Sequence, residues 1–307
     1  MNHLLHILLL LSLPPLLFGV INRTKAWFAG RTGPPLLQPY HDLLRLLRKD
    51  MVLSTTSTWI FRAGPATALA ATLLAGLLLP LGPLPAVISF QGDLVLFAYL
   101  LGLARFATTA AALDTGSAFE GMGASRELTF ACLTEPAIFL ALLVLARLSG
   151  SLSLGTMLQP LASVGSAGAA PLAMISIGLF VVLLAECSRI PVDDPNTHLE
   201  LTMIHEGMIL EQSGKNLALM ELSAAVKMTV LMALLINLIV PFGLTTTLTL
   251  AGILFAVIVF ILKGSILAGI IGLFESSMAK RRFFQLPSLF AMAFFFSTLI
   301  IIIEVFS

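Results

Sequence analysis

A chain of 307 residues that is 58% hydrophobic and only 11% charged lies far from a soluble globular domain, in which roughly a quarter of the residues are charged. Its net charge of +1, with basic residues scattered over several short loops, excludes a nucleic-acid-binding surface. Two cysteines, Cys132 and Cys187, are too few for a disulfide framework or for an iron–sulfur cluster held by this chain alone. Both border apolar segments and are read as packing residues.

The composition specifies an all-α polytopic membrane protein, with residues 1–307 forming one integral membrane domain. At about 20 apolar residues per crossing, eight transmembrane helices are predicted, over 4–21, 59–80, 94–113, 128–148, 170–187, 216–240, 248–273 and 287–306. The first has no basic residue ahead of it and is followed by Arg23 and Lys25, the pattern of a retained anchor rather than a cleaved signal.

The loop that follows, about 22–58, holds Arg31 and a turn fixed by Gly33, Pro34 and Pro35. From Gln38 onward, leucines at 43, 44, 46 and 47 alternate with Asp42, Arg45, Arg48 and Lys49 at helical spacing. This describes an amphipathic helix on the membrane face or against a partner.

The second loop, 114–127, carries Glu120 and Glu127 beside Arg126 and three glycines, Gly116, Gly121 and Gly123. If helical, it points both carboxylates the same way, since they are about two turns apart. A phosphate-cradling role is excluded by the lack of a Walker lysine and of a preceding strand.

The third loop, 188–215, with Glu186 just before it, is the most charged stretch. It gathers Glu186, Asp193, Asp194, Glu200, Glu206 and Glu211, with Glu221 just beyond, beside Arg189, His198 and His205. Titratable groups at this density where the hydrocarbon begins are costly unless they serve a purpose. The fourth loop, 274–286, holds Lys280, Arg281 and Arg282.

Thirteen of the seventeen Lys and Arg residues fall in or beside these four loops, and the alternate loops hold none. The positive-inside rule therefore predicts both termini outside and the four loops in the cytoplasm. Arg105, Glu135, Glu221, Lys227 and Lys263 remain at membrane depth. They form either structural ion pairs between helices or a chain of titratable groups that moves protons or an electrostatic signal laterally. His198, Glu200 and His205 are poorly spaced for a metal site.

Three stretches in this order carry a family resemblance. Glu186-Cys-Ser-Arg-Ile-Pro191, Asp193, Glu200 and Glu211-Gln-Ser-Gly214 resemble the Ala-Glu-Thr-Asn-Arg-Ala-Pro-Phe-Asp, Glu-Leu and Glu-Tyr-Ser-Gly motifs of the membrane subunit shared by respiratory complex I, as its subunit 1, and membrane-bound nickel-iron hydrogenases. Gly33-Pro34 with Leu37-Gln38-Pro39 is similar to that family's Gly-Pro and Leu-Gln-Pro signature. Phe119-Glu-Gly-Met-Gly-Ala-Ser-Arg-Glu127 and the long segment from Glu200 to Glu211 resemble the energy-converting hydrogenase and formate hydrogenlyase branch, which includes hydrogenase-4 component C. That segment is longer than in the quinone-reducing branch and contains His205.

The resemblance implies a subunit of the prokaryotic inner membrane that binds no cofactor itself. It would anchor hydrogenase large and small subunits and an iron–sulfur subunit, which hold the nickel-iron centre and the clusters, to antiporter-like membrane subunits. It further implies that Glu186, Asp193, Glu200 and Glu211 form a charged mouth, with Glu120, Glu127 and Glu135 leading inward. Glu221, Lys227 and Lys263 would continue the pathway, and Arg189 would be its electrostatic partner, with Arg31, Arg126 and His205 at the docking face. The alternatives are the quinone-site subunit of a complex I type dehydrogenase and, more distantly, a solute transporter acting alone. A lone transporter would be expected to show repeated halves, and no internal repeat is visible.

Overall fold

The computed structural model describes residues 2–82, 84–158, 166–193, 203–240 and 250–278, together with isolated positions between 288 and 302. Its helices are α1 (Asn2–Phe28), α2 (Gln38–Leu47), α3 (Trp59–Leu78), α4 (Asp93–Asp114), α5 (Ala118–Ser149), α6 (Leu154–Met157), α7 (Ser166–Glu186), α8 (His205–Met208), α9 (Gly214–Ile239) and α10 (Leu250–Ser277). Six are long and apolar enough to cross a membrane, and Pro171–Glu186 adds a shorter apolar helix. The predicted span over 287–306 lies outside the described residues except at isolated positions, which are helical.

The hub is α9, whose residues from Thr229 to Leu238 are all buried. A helix apolar on every side belongs inside a bundle. It packs against α1, α3, α7 and α10, while α3 lies along α4 and α5 crosses α4 and α7. Close approach depends on small residues. A Cβ on Gly64 of α3 would come within 2.6 Å of the Ala111 Cβ and 2.9 Å of the Ala107 carbonyl on α4.

The predicted amphipathic helix is α2, which buries none of its residues completely and packs against α1 and α9. Its Tyr40 hydroxyl donates to the Ser12 carbonyl. Pro14 and Pro15, inside α1, disturb the helix around that turn because they lack the N–H and crowd the preceding carbonyls.

The second loop is not a separate element. Only 115–117 connects α4 to α5, and the remainder of the segment forms the first turns of the 32-residue α5. The join is held by the Asp114 carboxylate, which accepts from Thr58 N (2.7 Å), Thr58 Oγ1 (2.7 Å) and Phe61 N (3.1 Å). It thereby satisfies amides at the start of α3 that have no partner within that helix. Asp114→Ala is expected to destabilise the solubilised chain by about 1–2 kcal/mol, the usual cost of losing a helix cap. Denaturant unfolding in detergent checks this.

Loop one is latched to the start of α9. The Ser213 hydroxyl accepts from Val52 N (2.9 Å) and donates to the Val52 carbonyl (3.0 Å). Gly214, at φ +51°, lies so close to Asp50 that a Cβ would come within 2.5 Å of its carbonyl oxygen. A residue with a side chain would be excluded by both the space and the left-handed backbone.

Candidate functional site

Four helices bring their charged residues together beneath the end that carries the basic loops. Arg105 of α4 donates from Nε to Glu127 Oε1 of α5 at 3.1 Å. Its two terminal nitrogens reach Glu135, also on α5, and Glu186 at the end of α7. Glu186 also takes a hydrogen bond from Thr134 Oγ1 (2.9 Å) and pairs with Lys227 of α9 (3.0 Å). The planar guanidinium fork suits one residue to three carboxylates on different helices.

Beside the cluster lies a cavity of about 50 Å3, lined among others by Thr72, Arg105, Glu127, Glu186, His205 and Lys227. A water needs roughly 10–15 Å3 of such volume and two or more polar partners, so water fits here. A second cavity, of about 250 Å3, opens between α1, loop one and α9, with Phe18, Gln38, Asp42, Glu206 and Glu221 in its wall. His205 is the titratable side chain that lines both.

The structure thus gathers Glu127, Glu135, Glu186 and Lys227 into one network and places the other expected residues around it. Glu120 is fully buried on the same side of α5 as Glu127. Its Oε1 accepts the Glu211 backbone N–H at 3.1 Å. Glu211 therefore contributes its main chain, and its side chain lies in the exposed part of loop three. Asp193 is buried and braces that loop, accepting from Ile204 N at 2.9 Å. Arg126 also braces it, donating to the Met203 carbonyl at 2.9 Å. Arg31 is exposed. Glu200 and His198 lie outside the described residues.

Three expectations are corrected by the packing. Lys263 does not continue the network: its Nζ donates to the Val240 carbonyl at 3.0 Å, at the far end of α9, about 20 Å along the helix from Lys227 at 1.5 Å per residue. Glu221 faces the second cavity rather than the cluster. Arg189 pairs with none of the mouth carboxylates among the described residues; it reaches Glu275 at 3.5 Å, and its guanidinium lies 4.3 Å from the centre of the Phe18 ring. The two cysteines also differ from expectation, since Cys132 is exposed on α5 and Cys187 lines the smaller cavity.

Glu275 is a residue that sequence pattern does not single out. It is buried at the end of α10 and binds both Arg189 and Lys25 of α1, the latter at 2.7 Å. Its one sequence signal is a lone carboxylate closing a very apolar helix. Among the described residues, no group of three or more His, Cys, Asp or Glu side chains is placed to hold a metal ion.

The family described as NADH dehydrogenase matches residues 2–306. Hydrogenase-4 component C of Escherichia coli (strain K12) is 35% identical over 276 residues, covering 90% of this chain and 86% of that protein. Formate hydrogenlyase subunit 4 of the same organism is 31% identical over 279 residues, covering 91% and 90%. A membrane component of the NADH-quinone oxidoreductase of Rubrobacter xylanophilus is 28% identical over 240 residues, covering 74% and 70%. In fold, the chain matches a chain of the membrane-bound sulfane sulfur reductase, an archaeal respiratory membrane complex, with a TM-score of 0.85, 23% identity and coverage of 99% and 98%.

Proposed function

The chain belongs to the NADH dehydrogenase family, and from that premise we propose that it is the membrane-anchoring, proton-transducing subunit of a membrane-bound nickel-iron hydrogenase of the formate hydrogenlyase or energy-converting type. The observation that carries this reading is the buried network of Arg105, Glu127, Glu135, Glu186 and Lys227 next to a water-sized cavity. The similarity to Hydrogenase-4 component C and Formate hydrogenlyase subunit 4 along most of the chain supports the hydrogenase branch. Nickel-iron and iron–sulfur chemistry belongs to the partner subunits on the cytoplasmic side, and antiporter-like subunits flank the chain in the inner membrane.

The division of labour is electrostatic. When a proton is consumed or an electron arrives in the docked arm, the charge near loop three changes. A unit charge about 10 Å away, at an effective dielectric of about 20, alters the energy of an ionised group by about 1.7 kcal/mol. That exceeds the ~1.4 kcal/mol that corresponds to one unit of proton affinity. His205, set between the two cavities, and Glu127, at the inner end of the network, meet this change first. Arg105 and Lys227 hold the remaining carboxylates in reach of a proton passed through the smaller cavity.

Glu127→Gln is expected to abolish proton uptake by inverted vesicles. Hydrogen evolution from soluble dyes should stay within about twofold, a change under ~0.5 kcal/mol. Loss of the dye-linked activity in a normally assembled complex would contradict the scheme.

A second reading, the quinone-site subunit of a complex I type dehydrogenase, is favoured by one observation: the larger cavity is bounded by loops one and three. Purifying the intact complex in mild detergent separates the two. A co-purifying nickel-iron large subunit supports the first, NADH-oxidising subunits favour the second, and a chain that works with no cytoplasmic companion overturns both.

A further inference from the structure

One member of the charged network reaches the outside of the bundle. The Glu135 side chain is 46% exposed, whereas that of Glu186 is fully buried. Its partner Arg105 sits on α4 about 18 Å from the Asp93 end and about 14 Å from the Asp114 end at 1.5 Å per residue, so the pair lies inside the span.

The surface around Glu135 is otherwise apolar. On α5, Cys132, Pro136, Phe139 and Leu143 continue an exposed stripe at helical spacing. On α4, Tyr99 (68% exposed), Leu103 and Phe106 (67% exposed) form a second stripe. The two meet where Tyr99 and Phe139 stack edge to face with ring centroids 6.2 Å apart. Between them Gly102 leaves a notch, since a Cβ there would meet only the Glu135 Oε1, at 3.9 Å.

Lipid suits the two stripes but not the carboxylate between them. Ionisable groups in a span face protein or a water-filled space, because hydrocarbon offers nothing to replace their hydration. The charge count points the same way. In the network three carboxylates, Glu127, Glu135 and Glu186, share two cations, Arg105 and Lys227. One negative charge is left over, and Glu135 is where a further cation can approach from outside.

We propose that the α4–α5 face centred on Glu135 is a lateral docking surface for a transmembrane helix of a neighbouring subunit, which sets a lysine or arginine against this carboxylate. The proposal rests on the reading of this chain as one subunit of a membrane complex. It adds the site of lateral contact and the chemistry of the partner. An apolar helix with one basic residue fits the surface: its apolar residues cover Tyr99, Phe106 and Phe139, and its cation enters the notch at Gly102.

The test uses the intact complex in native membranes, with p-benzoylphenylalanine in place of Phe139 or Phe106 and, as a control, in place of the exposed Ile258 on α10. Irradiation is expected to join the two α4–α5 probes to a peptide of another membrane subunit that carries Lys or Arg at the matching depth. Glu135→Gln should lower the yield of that adduct at least tenfold while the Ile258 probe gives an unchanged pattern. Adducts only to lipid, only to a second copy of this chain, or to a helix without a basic residue would overturn the proposal. The identity of the cytoplasmic companions is read from the same preparation. A wrong assignment of the complex therefore shows up there, independently of whether Glu135 meets a basic helix.

Discussion

Replacing Arg105 with methionine is expected to remove the chain from the membrane, with the amount of assembled protein falling at least tenfold. The guanidinium is the shared partner of Glu127, Glu135 and Glu186. Without it Glu127 and Glu135 lose the one ion pair each makes among the described residues, and Glu186 keeps only Lys227. Stripping one side from a buried ion pair costs about 3–5 kcal/mol, a large share of the ~5–15 kcal/mol by which a folded protein is stable. Arg105→Lys should recover little, since an ammonium offers a point charge where three carboxylates are arranged around a planar fork. Recovery is expected instead from Arg105→Met combined with Glu127→Gln and Glu135→Gln, which leaves Glu186 and Lys227 as a matched pair. Quantitative mass spectrometry of membranes measures all three. A single Arg105→Met chain at normal abundance would show that the network does not hold the helices together.

The second large effect is expected at Glu275. Its carboxylate takes Lys25 at 2.7 Å and Arg189 at 3.5 Å and so ties α1, α10 and the start of loop three to one point. Arg189 is buried and has further contacts with the Phe18 ring and, at 3.5 Å, with Met228 Sδ. Neither of these contacts cancels its charge. Among the described residues, Glu275→Ala leaves this buried cation without a counter-charge, again a loss of about 3–5 kcal/mol. The local consequence falls on Val192 and Asp193, whose amides bond the Arg189 carbonyl at 2.7 and 3.2 Å. Their hydrogen exchange should quicken at least about thirtyfold, the equivalent of about 2 kcal/mol of local opening. Cytoplasmic subunits docked on that loop should dissociate more readily in detergent. Unchanged exchange at both amides would place the stabilising role elsewhere.

The legible parts of this protein are those that depend on neighbours in sequence. Leucines at helical spacing after Gln38 marked α2, and apolar runs of membrane length marked α1, α3, α4, α5, α7, α9 and α10. Two of these helices outrun their apolar stretch: α1 continues past Arg23 to Phe28, and α5 begins at Ala118, ahead of Glu120 and Glu127. A helix can carry polar turns beyond the hydrocarbon, so hydropathy marks the span and not the helix end. The charged stretch from Glu186 to Gly214 pointed to the end of the bundle where the network lies. Even the shared face of Glu120 and Glu127 followed from their seven-residue separation, because a helix repeats on that scale. What the motif at Glu211 does was less legible: its contribution to Glu120 is a backbone amide, which residue identity does not reveal.

The sequence by itself determined how many charges the membrane region holds, which end of the bundle is basic and which family the chain resembles, since these follow from composition, segment length and local order. Only the tertiary structure decided which charges meet. Arg105 finds Glu186 across 81 positions, Arg189 turns to Glu275 rather than to the mouth, and Lys263 ends at the opposite side of the bundle from Lys227. The reason is geometric. An ion pair forms only where helix packing brings two side chains within a few ångströms, and the rotation and depth of each packed helix are set by contacts such as Gly64 on Ala111 that link residues far apart along the chain.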